Sequence, residues 1–358
     1  MKLLKVPLMQ QKDSFGHPHF VEYIRGQMKP SLAATCILVA LFCVSRGSPQ
    51  DTTGSSSPIT VGANGYVVKL DVNLVLVEAT VSDPRNRIID GLMQNDFRVL
   101  EDGVEQPIRY FSRDELPLAV ALVIDRSGSI GPHLGELRHA ALETLAQLKP
   151  DDQVALFAFA AGPEQLVDLT ADRQRIARAI SNIRPGGGTN INDALFSAIY
   201  YLGHAASNRR HAVILVSDNQ DTVRGFANEK DLVRLALQTE TVVYSLRIGG
   251  TYSLWGLSEP FAVPGTPSIN SVTQESGGEI IDASQDRSLG AAMAMVISRL
   301  KRRYTIGYLS PNKKHDGAYH SIEIELAGEA KQKARYSVFA RQGYYAPRDG
   351  ATRGDNPN

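Results

Sequence analysis

Three polar stretches of the chain carry oxygen donors at spacings that chemistry can use. Asp125-Arg126-Ser127-Gly128-Ser129 presents an acid and two hydroxyls on alternate residues. Gly186-Gly187-Gly188-Thr189-Asn190 presents a hydroxyl on a backbone that three glycines free from side-chain restrictions. Ser217-Asp218-Asn219 adds a second acid. Asp125, Ser127, Ser129, Thr189 and Asp218 thus offer two carboxylates and three hydroxyls, and none of the loops contains a histidine or cysteine. Hard oxygen donors of this kind suit Mg²⁺ or Mn²⁺ rather than zinc or copper. Two aspartates offset the ion's charge, while neutral hydroxyls leave it electrophilic and cannot fill an octahedron unaided, so a position stays open for an outside carboxylate. Taken singly, a Ser or Asp after a strand is as often a helix cap, and a glycine run only a turn. The order of all three loops along one frame is what favours a metal site.

That frame is an alternation of short apolar runs (118–124, 154–159, 212–216, 241–248, 279–281) with helical stretches near 132–148, 172–182, 192–206, 229–239 and 288–303. Such alternation predicts an α/β fold, a doubly wound, mainly parallel sheet flanked by helices. Open sheets of this class bind ligands at the carboxyl ends of their strands, where the first and third loops emerge. The segment 249–268 is rich in Gly, Pro and Ser and reads as a loop insertion. On either side the period changes to two. Residues 67–82 alternate, and the runs 97–100 and 107–111 flank Glu101-Asp102-Gly103, predicting a hairpin closed by Asp102-Gly103. After Arg303 come strands at 304–309, 319–326 and 336–341. Too few strands lie on either side for an independent sandwich. The expectation is one β-sandwich-like module, made of an N-terminal part (66–115) and C-terminal strands (304–346), with the α/β domain (116–303) inserted. The competing arrangement is a separate N-terminal module with the last strands extending the central sheet.

At this point the residues resemble a known family. Asp-x-Ser-x-Ser after the first strand, a Thr in a glycine loop and an Asp after a later strand are similar to the metal-ion-dependent adhesion site of von Willebrand factor A (VWFA) domains, whose fold is Rossmann-like. The resemblance covers 118–303. The flanks, 97–112 with its Glu-Asp-Gly turn and 304–345, resemble VWFA-related proteins exported by some bacteria. It implies that Ser127, Ser129 and Thr189 touch the metal directly or through one water, and that Asp125 and Asp218 mostly hold its waters. It also implies that a protein or peptide partner completes the shell with an Asp or Glu, and that a shift of the last helix can couple affinity to conformation. Asn219 departs from the glycine usual after the last aspartate, which adds a side chain beside Asp218 and removes a glycine's conformational freedom there.

The rest of the chain bounds the setting. Across 358 residues, 38 Lys and Arg balance 38 Asp and Glu, so no excess positive field draws the protein to nucleic acid or an anionic membrane. The apolar run 32–44 has only thirteen residues where a bilayer span needs about twenty. With Lys29 before it and Ser45, Gly47 and Ser48 after it, it reads as a secretory signal (1–47) cleaved after Ser45 or Gly47. Met28 is the expected true start, and the mature chain is expected to have no membrane span. An uncleaved N-terminal anchor, or lipid on Cys43 despite Phe42, are the other readings. A flexible Ser/Thr/Gly/Pro-rich linker (48–65) follows, and a disordered tail (347–358) closes the chain. Asp151-Asp152 and Asp193 read as structural, and Arg353-Gly354-Asp355 as a chance match to an integrin-binding tripeptide. His204, His211, His315 and His320 read as surface residues. No Gly-x-Ser-x-Gly, no Gly-Lys-[Ser/Thr] after the glycines and no His-Glu-x-x-His supports an enzyme, so no catalytic residue is assigned. The expected function is an exported, non-enzymatic, metal-dependent adhesion module, ahead of an envelope scaffold with a stabilising metal loop and, further behind, a metal-assisted hydrolase.

Overall fold

Alternate burial sets the first strand. In β1 (Leu74–Ser82), Val75, Val77, Ala79 and Val81 are buried while Leu74 and Leu76 face outward. The structure, a computed structural model, describes residues 73–113, 116–248, 269–283, 288–328 and 336–348. The expected targeting segment and linker, residues 66–72 of the first β module, the 249–268 insertion and Arg353-Gly354-Asp355 lie outside the described residues.

β2 (Phe97–Glu101) turns into β3 (Val104–Gln106) through Asp102 and Gly103, both at positive φ, the geometry a two-residue hairpin requires. The expected partner, 107–111, is not the returning strand. Pro107 has no N–H for the ladder, so pairing stops at Gln106 and β4 (Ile108–Ser112) joins the opposite sheet.

The chain then enters the α/β layer with β5 (Leu118–Asp125), a 3-10 turn at Gly128–His133, α1 (Leu134–Leu145), β6 (Gln153–Phe159), β7 (Pro163–Thr170) and α2 (Arg173–Ser181). It continues through α3 (Ile191–Ala205), β8 (Arg210–Ser217), α4 (Glu229–Gln238), β9 (Thr241–Arg247), α5 (Ile269–Ser276), β10 (Ile280–Asp282) and α6 (Leu289–Lys301). The sheet order is β10-β9-β8-β5-β6-β7, parallel except for β7 against β6. All eight residues of β5 are buried, which is what a strand covered on both faces demands. α1, α2 and α6 cover the face carrying Leu118, Val120, Leu122 and Ile124, and α3, α4 and α5 pack together against the sheet elsewhere. The fold is therefore the doubly wound, mainly parallel sheet that the alternation implies, with added antiparallel sheets.

Those sheets join the two flanks. β11 (Tyr304–Leu309), β12 (Tyr319–Leu326), β13 (Ser337–Ala340) and β14 (Gly343–Tyr345) interleave with the N-terminal strands in the orders β13-β1-β11-β4 and β14-β12-β2-β3. Their shared core holds Val77, Val81, Phe97, Val99, Tyr304, Ile306, Tyr308 and Ile322. None of the described C-terminal strands pairs with the central sheet. Pro347 and Arg348 are still held, by Gly317 and Asp316.

Three elements escape the sequence pattern. β7 has fully buried side chains only at Pro163 and Val167, so no alternation marks it. α5 buries Ile269, Val272, Thr273 and Ser276 at helical spacing, but two of these are polar and hide the period. β14 is only three residues long.

If 116–303 is an inserted folding unit, that fragment alone should give a cooperative thermal transition and a dispersed NMR spectrum. A fragment that stays unfolded would mean that sandwich and α/β layer fold only together.

Candidate metal centre

β5 ends in Asp125, whose carboxylate is completely buried. β5 leads to β6 on one side and β8 leads to β9 on the other, so the sheet reverses direction between β5 and β8. The crevice outside the carboxyl ends at such a reversal is where open α/β sheets bind ligands. Asp125 spans it: Oδ1 accepts from the Ser127 N–H at 2.8 Å, and Oδ2 accepts from the Ser217 hydroxyl at 2.7 Å. One acid thus shapes the first loop and fastens it to the third.

In the third loop the Asn219 N–H donates to Ser217 Oγ at 3.1 Å, and the Gln220 N–H to Asp218 Oδ1 at 3.0 Å. Asn219 has φ 61, in the left-handed region that glycine favours and that Asn tolerates better than most residues. Its side chain accepts from the Ser245 hydroxyl on β9 at 2.9 Å. The departure from glycine therefore keeps the left-handed turn and ties position 219 to the neighbouring strand.

The glycine loop is held from both sides. The Gly186 N–H donates to Arg126 O and the Asn190 N–H to Ala160 O, each at 2.8 Å. The Thr189 N–H donates to Thr222 Oγ1 at 2.8 Å, and Thr189 O accepts from the N–H groups of Thr222 and Val223 at 2.9 Å. Gly187 has φ 93, and a Cβ there would lie 2.9 Å from that of Ala160. A Cβ on Gly188 would meet Val223 at 2.7 Å. Glycine is needed at both positions to lay Thr189 beside the other loops.

Asp125, Ser127, Thr189 and Asp218 are all buried at this edge. The backbone of Ser129 lies in the 3-10 turn that follows, and its side chain is outside the described residues. Asp152 and Asp193 are structural. Asp152 accepts from the N–H groups of Leu118 and Lys149 at 2.8 Å, fixing the start of β5. Asp193 Oδ1 accepts from the N–H groups of Phe226 and Ala227 at 3.0 Å, and Oδ2 accepts from the Asn190 side chain at 2.9 Å. The loop after β8 is thereby bound to the first turn of α3.

Asp221 is the residue the sequence did not mark. It sits in a polar stretch without motif, yet its Oδ1 accepts from the Ile191 N–H at 2.6 Å. Burial, then Asp193 and Asp125, push its carboxyl up to about 6. Asp125 is raised chiefly by burial, with Asp218 adding to it, and Asp193 is raised by burial. Acids crowded into a poorly hydrated basin resist ionisation, and a divalent cation would relieve them. The donors are hydroxyl and carboxylate oxygens, so the basin fits Mg²⁺ or Mn²⁺ by charge and by donor type.

His320, read as a surface residue, is half-buried beside Glu101 and Asp102 on the sandwich. No local signal pairs residues so far apart in the chain.

The raised carboxyl of Asp221 has a thermodynamic consequence in metal-free protein. Its folded pKa lies above the unfolded value, so the native state binds the proton more tightly and stability falls as pH rises from about 4 to about 6. With chelator present, Asp221→Asn is expected to melt above wild type at pH 7, with the gap closing below pH 4. Equal melting temperatures across the range would remove Asp221 as the source.

Part of the chain is similar in sequence to curated proteins. Human inter-alpha-trypsin inhibitor heavy chain H4 is 31% identical over 171 residues, covering 44% of this chain and 17% of that protein. The pig heavy chain H2 is 34% identical over 152 residues, 38% of this chain and 16% of that one. The chain thus spans about a sixth of the length of these curated relatives. Among solved structures, a von Willebrand factor type A protein from Catenulispora acidiphila aligns with a TM-score of 0.43 at 12% identity, over 78% of this chain and 74% of that one. The conserved hypothetical protein BatB from Bacteroides thetaiotaomicron aligns with 0.40 at 18% identity, over 51% and 98%. Residues 120–220, which run from β5 through the glycine loop to the loop after β8, match the family model for the von Willebrand factor type A domain, and the chain contains a domain of that family.

Proposed function

We propose that this protein is an exported, non-enzymatic binding module that grips a protein or peptide partner through a divalent cation, Mg²⁺ or Mn²⁺. Ser127, Ser129 and Thr189 supply oxygens to the ion directly or through one water, and Asp125 and Asp218 hold its waters and offset its charge. A partner's Asp or Glu completes the shell. The observation that carries this reading is the Ser217–Asp125 hydrogen bond across the point where the sheet reverses. It draws two acid-bearing loops together at the edge where ligands bind, with Thr189 laid against the third loop.

Neutral hydroxyls leave the ion short of charge, so it attracts an anionic oxygen from outside. Hydrolysis would call for more carboxylates as ligands and bases, and Asp193 and Asp221 are committed to backbone N–H groups. No described helix is long and apolar enough to cross a membrane.

Titration of the full chain with Mg²⁺ and Mn²⁺ by calorimetry is expected to give one saturable site. The site should be lost in the double variant Ser127→Ala, Asp218→Ala. An ion at about 100 times its Kd should add about 2.7 kcal/mol of stability to the wild type alone. No heat and no rise in melting temperature would sink metal-dependent adhesion. Binding of the ion with partner capture unchanged in EDTA would move the reading to a scaffold whose metal only stabilises the fold.

A further inference from the structure

Outward-facing positions of β1 and β4 leave an apolar group uncovered. Leu74, Leu76 and Tyr110, with Leu116 just before β5, are 41–59% exposed. The first three converge over Gly307 of β11, where a Cβ would lie 2.9 Å from Leu76 Cδ2 and Tyr110 Cβ and 3.5 Å from Leu74 Cδ1. Large apolar side chains gathered in one exposed patch mark a binding surface, as scattered ones do not.

These side chains wall a cavity of about 460 Å³ whose far side is formed by the end of α4 and the starts of β8 and β9. It lies at the amino ends of those strands, the opposite end of the central sheet from the metal edge. Its size is that of a small-molecule site, roughly 300–1,000 Å³. The guanidiniums of Arg209, Arg210, Arg303 and Arg341 line it, against the carboxylates of Glu78 and Glu240. Glu78 meets Arg303 at 2.8 Å and Arg210 at 3.7 Å. Arg341 is placed differently: its side chain is 11% exposed, but the acid it faces, Glu240 at 3.5 Å, is 60% exposed. Solvent screens such a pair, so the guanidinium keeps the capacity to hold a second anion. Arg209 donates to a neutral carbonyl, that of Asp151, and adds to the positive field.

We propose that this cavity binds a long-chain fatty acid, its alkyl chain over Leu74, Leu76 and Tyr110 and its carboxylate on Arg341. A monoanion suits the one buried guanidinium whose acid is exposed, and a planar carboxylate fits the guanidinium fork. The alkyl chain gains by covering side chains that water otherwise wets. A peptide fits less well. Two carbonyls that its backbone could pair with on this wall are already used: Leu76 O accepts from Arg341 at 2.7 Å and Leu116 O from Arg210 Nε at 3.1 Å.

Calorimetric titration of the full chain with sodium dodecanoate, kept below its micelle concentration, is expected to give one saturable equivalent. Dodecanol, which has the chain without the charge, should bind at least about tenfold more weakly, as should dodecanoate to Arg341→Gln, since each loses a charge-assisted hydrogen bond. Leu76→Asn, at an exposed position, should weaken dodecanoate binding about tenfold through the lost apolar contact. That variant keeps the test decisive if Arg341→Gln does not fold. No saturable binding, dodecanol bound as tightly as dodecanoate, or binding unchanged in Leu76→Asn overturns the proposal. A dimer in sedimentation that Leu76→Asn disperses, with no dodecanoate bound, would also overturn it and assign the patch to a second copy of the chain. The metal edge is at the other end of the sheet, so the Ser127→Ala, Asp218→Ala variant should bind dodecanoate as the wild type does, and failure of one reading leaves the other standing.

Discussion

A carboxylate that is completely buried at the end of an interior strand must find hydrogen bonds or give up its charge, and Asp125 finds them in two different loops. The Ser127 N–H bends the chain sharply after β5, and the Ser217 hydroxyl binds that bend to β8. Once those ends are joined, little freedom remains for the glycine loop, which bonds to Arg126 and Ala160 on one side and to Thr222 and Val223 on the other. The positive φ of Gly187 and the missing Cβ of Gly188 are consequences of this crowding. The side chains that could meet an ion come from three loops, but one acid sets their spacing.

The sandwich and the α/β layer are also joined by buried charge. Arg303 stands between α6 and β11, donates to Glu78 of β1 at 2.8 Å and reaches the Tyr244 hydroxyl of β9 at 3.1 Å. Arg299 of α6, 1% exposed, pairs with Glu279 and lies over the Phe339 ring of β13 at 4.9 Å. Gly277 and Gly278 let backbone approach there, since a Cβ would lie 2.7 Å from Ala340 C at the first and 1.9 Å from Val243 O at the second. Removing one partner from such a buried pair costs about 3–5 kcal/mol. The helix that ends the α/β layer is thus packed against the outer sheet.

The sheet and the loop positions were legible because their signals are local. Apolar runs such as that of β5 announce a strand buried on both faces, and polar residues at their ends announce loops. Pairing across the chain is not local. That β1 lies beside β11 could be inferred only from having too few strands on each side, and the switch of β4 to the other sheet turned on the missing N–H of Pro107. α5 was hidden because Thr273 and Ser276 occupy core positions, with Thr273 Oγ1 bonded back to Ile269 O at 2.9 Å. Asn219 looked like a loss of glycine's freedom, yet the fold uses the tolerance of Asn for the left-handed region. Asp221 and His320 acquire their surroundings only from tertiary contacts, Asp221 from α3 and His320 from the β2–β3 turn.

The arrangement of acids around α3 bears on how an ion would act. The Ile191 N–H is given to Asp221 and the Asp193 N–H to Asn190, so the positive end of the helix faces the loop that carries Asp218. That end offsets part of the negative charge, while burial, the first cause at Asp125, Asp193 and Asp221, still disfavours their ionised forms. A cation bound among the loops would supply the remainder and would favour the ionised forms of the acids that anchor the third loop to α3. On the proposed reading, ion binding and the hydrogen bonds that hold that loop to α3 would then depend on the same carboxylates.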